Sequence, residues 1–146
     1  MKKEVNISIN TDSYPANDDP RHIAQETTGT VFFKDELLYI TYNENPEEFG
    51  KTTTTLKIKP DRLELIRTGN VMSRLVFRKD IPYEGGYNTP YGTLPVKISV
   101  HSMNIRADEN SGDISMSYLL DFAGDITENK FTFKYNQSAK GFCTNE

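Results

Sequence analysis

The chain has 146 residues, a formal net charge of −4 from 17 basic and 21 acidic side chains, and one cysteine. The length suits a single domain over residues 1–146 with one core of its own, and a lone cysteine excludes an internal disulfide framework. The scattered charge lacks the basic stripe of a nucleic-acid binder, and no stretch approaches the ~20 apolar residues of a membrane-spanning helix.

Met1-Lys2-Lys3-Glu4 has the charge of a signal-peptide start but runs into Val5-Asn6-Ile7-Ser8-Ile9, an alternating pattern in place of an apolar block. The expectation is a cytoplasmic protein with neither nucleic acid nor membrane as partner. That alternation opens a first strand, and the polar segment Asp12 to Pro20 reads as a loop or irregular edge. Thr27 to Phe33 ends a second strand, Leu38, Ile40 and Tyr42 mark a third, and Leu56 with Ile58 end a fourth. Leu63 with Leu65 give a fifth, and Val71, Leu75 and Phe77 a sixth. Val96, Ile98 and Val100 begin a long strand that changes phase toward Met103 and Ile105, as a β-bulge near His101 would make it do. Ile114, Met116, Tyr118, Leu120 and Phe122 form the cleanest run, and Phe131, Phe133 and Tyr135 close the series. Residues 137–146, with Cys143, read as a flexible tail.

The joints are short and rich in turn residues, for example Lys59-Pro60-Asp61 and Thr68-Gly69-Asn70. Such joints link antiparallel neighbours but cannot make parallel crossovers. The fold class is therefore all-β: a single antiparallel up-and-down barrel of roughly eight to ten strands, since closure removes exposed edges. A two-sheet sandwich is the alternative.

Placing the fourth turn on Lys59-Pro60 pairs Leu56 with Leu63, Thr54 with Leu65 and Thr52 with Arg67. The next turn, at Gly69-Asn70, sets Leu65 against Leu75 and Arg67 against Ser73, and Tyr42 comes level with Thr52. Tyr42, Thr52, Arg67 and Ser73 then share the apolar face, at the end of the barrel where the loops near Glu44, Tyr87 and Tyr91 also gather. Two readings stand. In one, this pole is the mouth of a cavity for a small amphipathic ligand, with Arg67 as partner to an anionic head and Tyr42, Glu44, Thr52, Ser73, Tyr87 and Tyr91 around it. In the other, the barrel is filled by its own side chains, Arg67 is neutralised by Glu44 or Glu26, and the protein is a structural or protein-interaction module. An exposed patch of Tyr83, Tyr87 and Tyr91, or a homodimer, would favour the second.

No catalytic motif is present, and the expectation is a protein that is not an enzyme; only Glu44, Arg67 and a tyrosine within hydrogen-bonding reach of one another would argue otherwise. His22 and His101 lie on different strands without metal-ligand spacing, and no glycine-rich phosphate loop precedes a helix, so no metal or cofactor is expected. Segment 82–92, with Tyr83, Tyr87 and Tyr91 among glycines and prolines, reads either as a lid or as a short distorted strand and a tight turn.

Several fragments recur in an order that carries a resemblance. They are Thr27-Thr28-Gly29, Tyr39-Ile40-Thr41-Tyr42 with Glu44, Gly50-Lys51-Thr52-Thr53, Arg67-Thr68-Gly69, Tyr87 with Thr89, Tyr91-Gly92, and Gly112-Asp113-Ile114 with Tyr118 and Leu120. Over residues 3–136 the chain resembles the YwiB-like family of small bacterial proteins, a domain of unknown function. The resemblance implies a calycin-like (lipocalin-like) β-barrel, a fold that often holds small apolar ligands. It brings no catalytic residue with it, and fold alone does not fix function.

Overall fold

The computed structural model describes residues 2–70 and 72–137. The expected tail from residue 138 onward, Cys143 included, lies outside the described residues, and Gln137 is the last residue of a strand.

The elements in chain order are β1 (Lys2–Pro15), β2 (Arg21–Lys34), β3 (Leu37–Asn43), a single helical turn α1 (Pro46–Phe49), β4 (Thr52–Lys59) and β5 (Arg62–Gly69). They continue with β6 (Ser73–Arg78), β7 (Tyr83–Thr89), β8 (Gly92–Ala107), β9 (Ser111–Phe122) and β10 (Asp125–Gln137). All ten strands form one antiparallel sheet in the order β6-β5-β4-β3-β2-β1-β10-β9-β8-β7. Because β1 pairs with β10, the meander comes round on itself as a nearly closed up-and-down barrel. The seam falls between β6 and β7, where the Tyr83 hydroxyl donates to the Arg74 carbonyl at 2.9 Å.

Alternation explains the core. Val5, Ile7 and Ile9 on β1, Ile40 on β3, Leu56 on β4, Leu63 on β5, Ile98 on β8, Ile114 on β9 and Phe133 on β10 all point inward and are buried. The phase change on β8 is a register shift between Val100 and Ser102, so His101 is the extra residue and Met103 and Ile105 return to the inner face.

Two local expectations are corrected. The segment from Asp12 is not all loop: β1 runs to Pro15 because β10 and β2 both extend alongside it and satisfy its backbone. The turn after β4 is Pro60-Asp61, with Lys59 opposite Arg62, so Leu56 faces Leu65 and Thr54 faces Arg67. Proline fixes φ near −65° and suits the first central position of a turn, which moves the pairing by two residues. A shift of two keeps every side chain on its face. Segment 82–92 is the short strand β7 followed by a turn at Pro90-Tyr91.

The outer face has one unusual feature. Glu64, only 3% exposed, sits among Lys59 at 3.1 Å, Arg74 at 3.0 Å and Arg62 at 3.6 Å. Burial raises the carboxyl's pKa, but the hydrogen bond from Lys59 and the charges of Arg74 and Lys59 outweigh burial and hold it below the ordinary value.

Candidate functional site

The registers place Gly29, Tyr42, Thr54, Arg67 and Ser73 side by side in one inward row across β2 to β6. Gly29 makes room for this row. A Cβ there would lie 2.5 Å from the Thr41 carbonyl oxygen and 3.2 Å from the Tyr42 Cβ. One inward step beyond Tyr42 is Glu44, whose amide donates to the Thr52 carbonyl at 2.9 Å.

Glu44 is the hub of the row. Thr54 Oγ1 donates to its Oε2, Arg67 Nε lies 3.5 Å from Oε2, and the Tyr42 phenol is close enough to be acted on by the Glu44 charge. Burial, and then the Glu44 charge, push the Tyr42 phenol far above its ordinary pKa, so Tyr42 stays protonated as a donor. A carboxylate this buried is tolerable because the Thr54 hydroxyl and a guanidinium compensate it.

Glu44, Arg67 and a tyrosine are thus within reach of one another, the constellation that alone would argue for catalysis. Tyr42 and Glu44 are 7% and 5% exposed, and neither lines the interior cavity. Of this cluster, Arg67 is the member that lines the interior cavity.

Beside this cluster lies a cavity that is partly open to solvent. Its volume is about 360 Å³, and it is walled by Leu65, Leu75, Phe77, Val96, Leu120, Phe122 and Phe131, with Thr11, Tyr87 and Tyr118 adding hydroxyls and Arg67 the one charge among its lining residues. Phe77 meets Tyr118 edge-on at 4.9 Å, and Tyr87 meets Phe122 edge-on at 5.3 Å, contacts that brace the wall. A broader, open depression of about 570 Å³ lies over Asn6, Ile7, Ser8, Glu26, Thr27, Thr28, Lys134 and Asn136, with Ile7 the one hydrophobic side chain among those residues.

The site residues expected from the sequence therefore divide. Arg67 and Tyr87 line the cavity. Tyr42, Glu44, Thr52 and Ser73 are inward neighbours of Arg67 that do not line it. Tyr91, 99% exposed, stands on the β7–β8 turn outside it. Tyr83 and Tyr87 pack against the core, so the exposed patch of three tyrosines does not form. The interior is not solid, yet Arg67 is paired internally with Glu44.

Tyr118 is the residue that sequence reasoning passed over. It stands in the cleanest apolar run as the one inward position with a hydroxyl, and that was the available signal. Burial pushes its phenol up to about 12, with the Arg67 charge pulling partly back. Its hydroxyl makes no hydrogen bond among the described residues.

Of the histidines, His22 Nδ1 lies 2.5 Å from Asp12 Oδ1 on an exposed rim, and His101 is exposed at the bulge. Among the described residues no group of three metal-ligating side chains converges.

Comparison with known proteins yields three findings. The model of a domain of unknown function, DUF1934, matches residues 7–134. A protein from Bacillus subtilis (strain 168), described as the uncharacterized beta-barrel protein YwiB, is 28% identical over 119 residues, covering 81% of this chain and 83% of that protein. The crystal structure of the ywiB protein from Bacillus subtilis superposes with a TM-score of 0.83 at 23% identity, over 94% of this chain and 93% of that one.

Proposed function

This chain belongs to the DUF1934 family of domains of unknown function, and from that premise we propose that it is a non-enzymatic binding module whose barrel interior takes a small amphipathic ligand. The observation that carries the reading is the cavity of about 360 Å³, apolar over most of its wall, with Arg67 and Tyr118 among its lining residues. Small-molecule sites have this character: a volume of ~300–1,000 Å³, hydrophobic walls and a few convergent polar groups.

A filled barrel serving only as scaffold would leave no such volume. The outward positions support an aqueous setting, with Lys57, Glu64 and Val76 in one row and Lys59, Arg62 and Arg78 in the next. A lipid-facing barrel would present a continuous apolar band there.

The test is native mass spectrometry of the protein purified from its own cell extract, beside Leu75→Trp, which places an indole in the cavity. The expected result is an extra mass on the wild type that the variant lacks; the same spectra read monomer against homodimer. A bare wild-type mass, together with no uptake of the neutral dye Nile red, would overturn the proposal.

A further inference from the structure

We infer that the cavity selects ligands with an uncharged, hydrogen-bond-accepting head and discriminates against carboxylates, because Glu44 already occupies the place of the anion beside Arg67. The inference rests on the proposed binding role of the cavity and specifies its ligand class.

The charge balance comes first. Arg67 is the one charged residue lining the cavity, and taken alone it would invite a carboxylate or phosphate. Glu44 stands 3.5 Å from it, and the carboxylate is held there by a hydrogen bond from Thr54. The pair is neutral. A second carboxylate at Arg67 would leave a net negative charge and face the buried Glu44 as a like charge, an arrangement that disfavours the ionised form.

The donor comes second. Tyr118, half-buried, is among the residues that line the cavity, and its hydroxyl has no hydrogen bond among the described residues. An acceptor such as an amide, ketone or ester carbonyl gives the phenol a hydrogen-bond partner without adding charge. Burial also keeps the Tyr118 proton in place well above neutrality, so its hydroxyl remains available to donate.

Size follows from volume. At ~30 Å³ per water-sized group, 360 Å³ holds about a dozen non-hydrogen atoms, the size of a ten-carbon chain with a small head. Decanamide and decanoate match this size and differ in charge, with nearly the same shape.

The experiment is displacement of Nile red by decanamide and by decanoate at pH 7.5, from the wild type, Glu44→Gln and Tyr118→Phe. The wild type is expected to bind decanamide at least about tenfold more tightly than decanoate. Glu44→Gln, which keeps the shape and removes the charge, should close or reverse that ratio. Tyr118→Phe should weaken decanamide about fivefold and leave Nile red unaffected. Equal or tighter binding of decanoate by the wild type overturns the inference while leaving the cavity a binding site. Failure of Nile red to bind at all overturns the binding role and the inference together. If Glu44→Gln does not fold, the wild-type ratio decides alone.

Discussion

Replacing Arg67 by Met and Glu44 by Gln, singly and together, tests whether the inward row is held by charge compensation. With Nε and Oε2 3.5 Å apart, the Coulomb attraction at an effective dielectric constant near 20 is about 5 kcal/mol, and desolvation cancels much of it. The Glu44 side chain is 3% exposed and that of Arg67 20%, so water can relieve the arginine better than the glutamate. Arg67→Met strands a buried carboxylate that keeps the Thr54 hydroxyl as donor, and should cost about 3 kcal/mol. Glu44→Gln leaves a partly solvated cation and should cost about 2 kcal/mol. The double variant leaves no buried charge uncompensated, and its loss should be only about 3 kcal/mol, a coupling of ~2 kcal/mol. Urea unfolding reads this directly, because a slope of ~2 kcal/mol per molar turns each single loss into a midpoint shift of ~1 to 1.5 M. Additivity within about 0.5 kcal/mol would refute the reasoning and mean that the Thr54 hydroxyl, without Arg67, is enough to stabilise Glu44.

Gly29→Ala should destabilise by about 1–3 kcal/mol, because the Ile7 methyl 2.7 Å away can swing aside but the Thr41 carbonyl at 2.5 Å is backbone; thermal unfolding measures it, and an unchanged or higher Tm would contradict the packing argument. Glu64, its pKa depressed below the ordinary 4.5, contributes stability that is fully present above that value and is lost as pH falls through the lower folded-state value. Glu64→Gln should therefore be less stable at neutral pH and flatten the acid limb of the stability profile, as seen in unfolding series between pH 6 and 2. Tyr83→Phe removes the hydrogen bond across the seam at a cost of about 1 kcal/mol. Amide exchange should accelerate in β6 and β7 and stay unchanged in β1 and β10; a uniform change would show that the seam does not open by itself.

Much of the fold was legible in the chain. Period-two alternation and short turns dictate an antiparallel meander, and the break in alternation at His101 announces its bulge. The inward face was legible too, since Arg67 and Ser73 fall opposite each other from the turn position alone. An error of two residues between β4 and β5 left every side chain on its face, because side-chain direction has period two. What alternation cannot convey is how far a strand extends past its apolar residues. The end of β1 is polar and is strand only because β10 and β2 lie alongside it.

The candidate site was legible as a set of inward polar residues and not as a geometry. Sequence and turn chemistry placed Arg67, Tyr42 and Glu44 at one pole, since those depend on neighbours along one or two hairpins. Tertiary structure alone decided that Glu44 takes the place of the anion beside Arg67 and that Tyr91 points outside. It also decided that Tyr118, distant in the chain from Arg67, shares a cavity with it. Those outcomes depend on how a sheet curls until β9 faces β5 across the interior, and on whether the side chains from opposite walls meet or leave a void. Pairing rules act between adjacent strands; the volume at the centre of a barrel is set by all of them together.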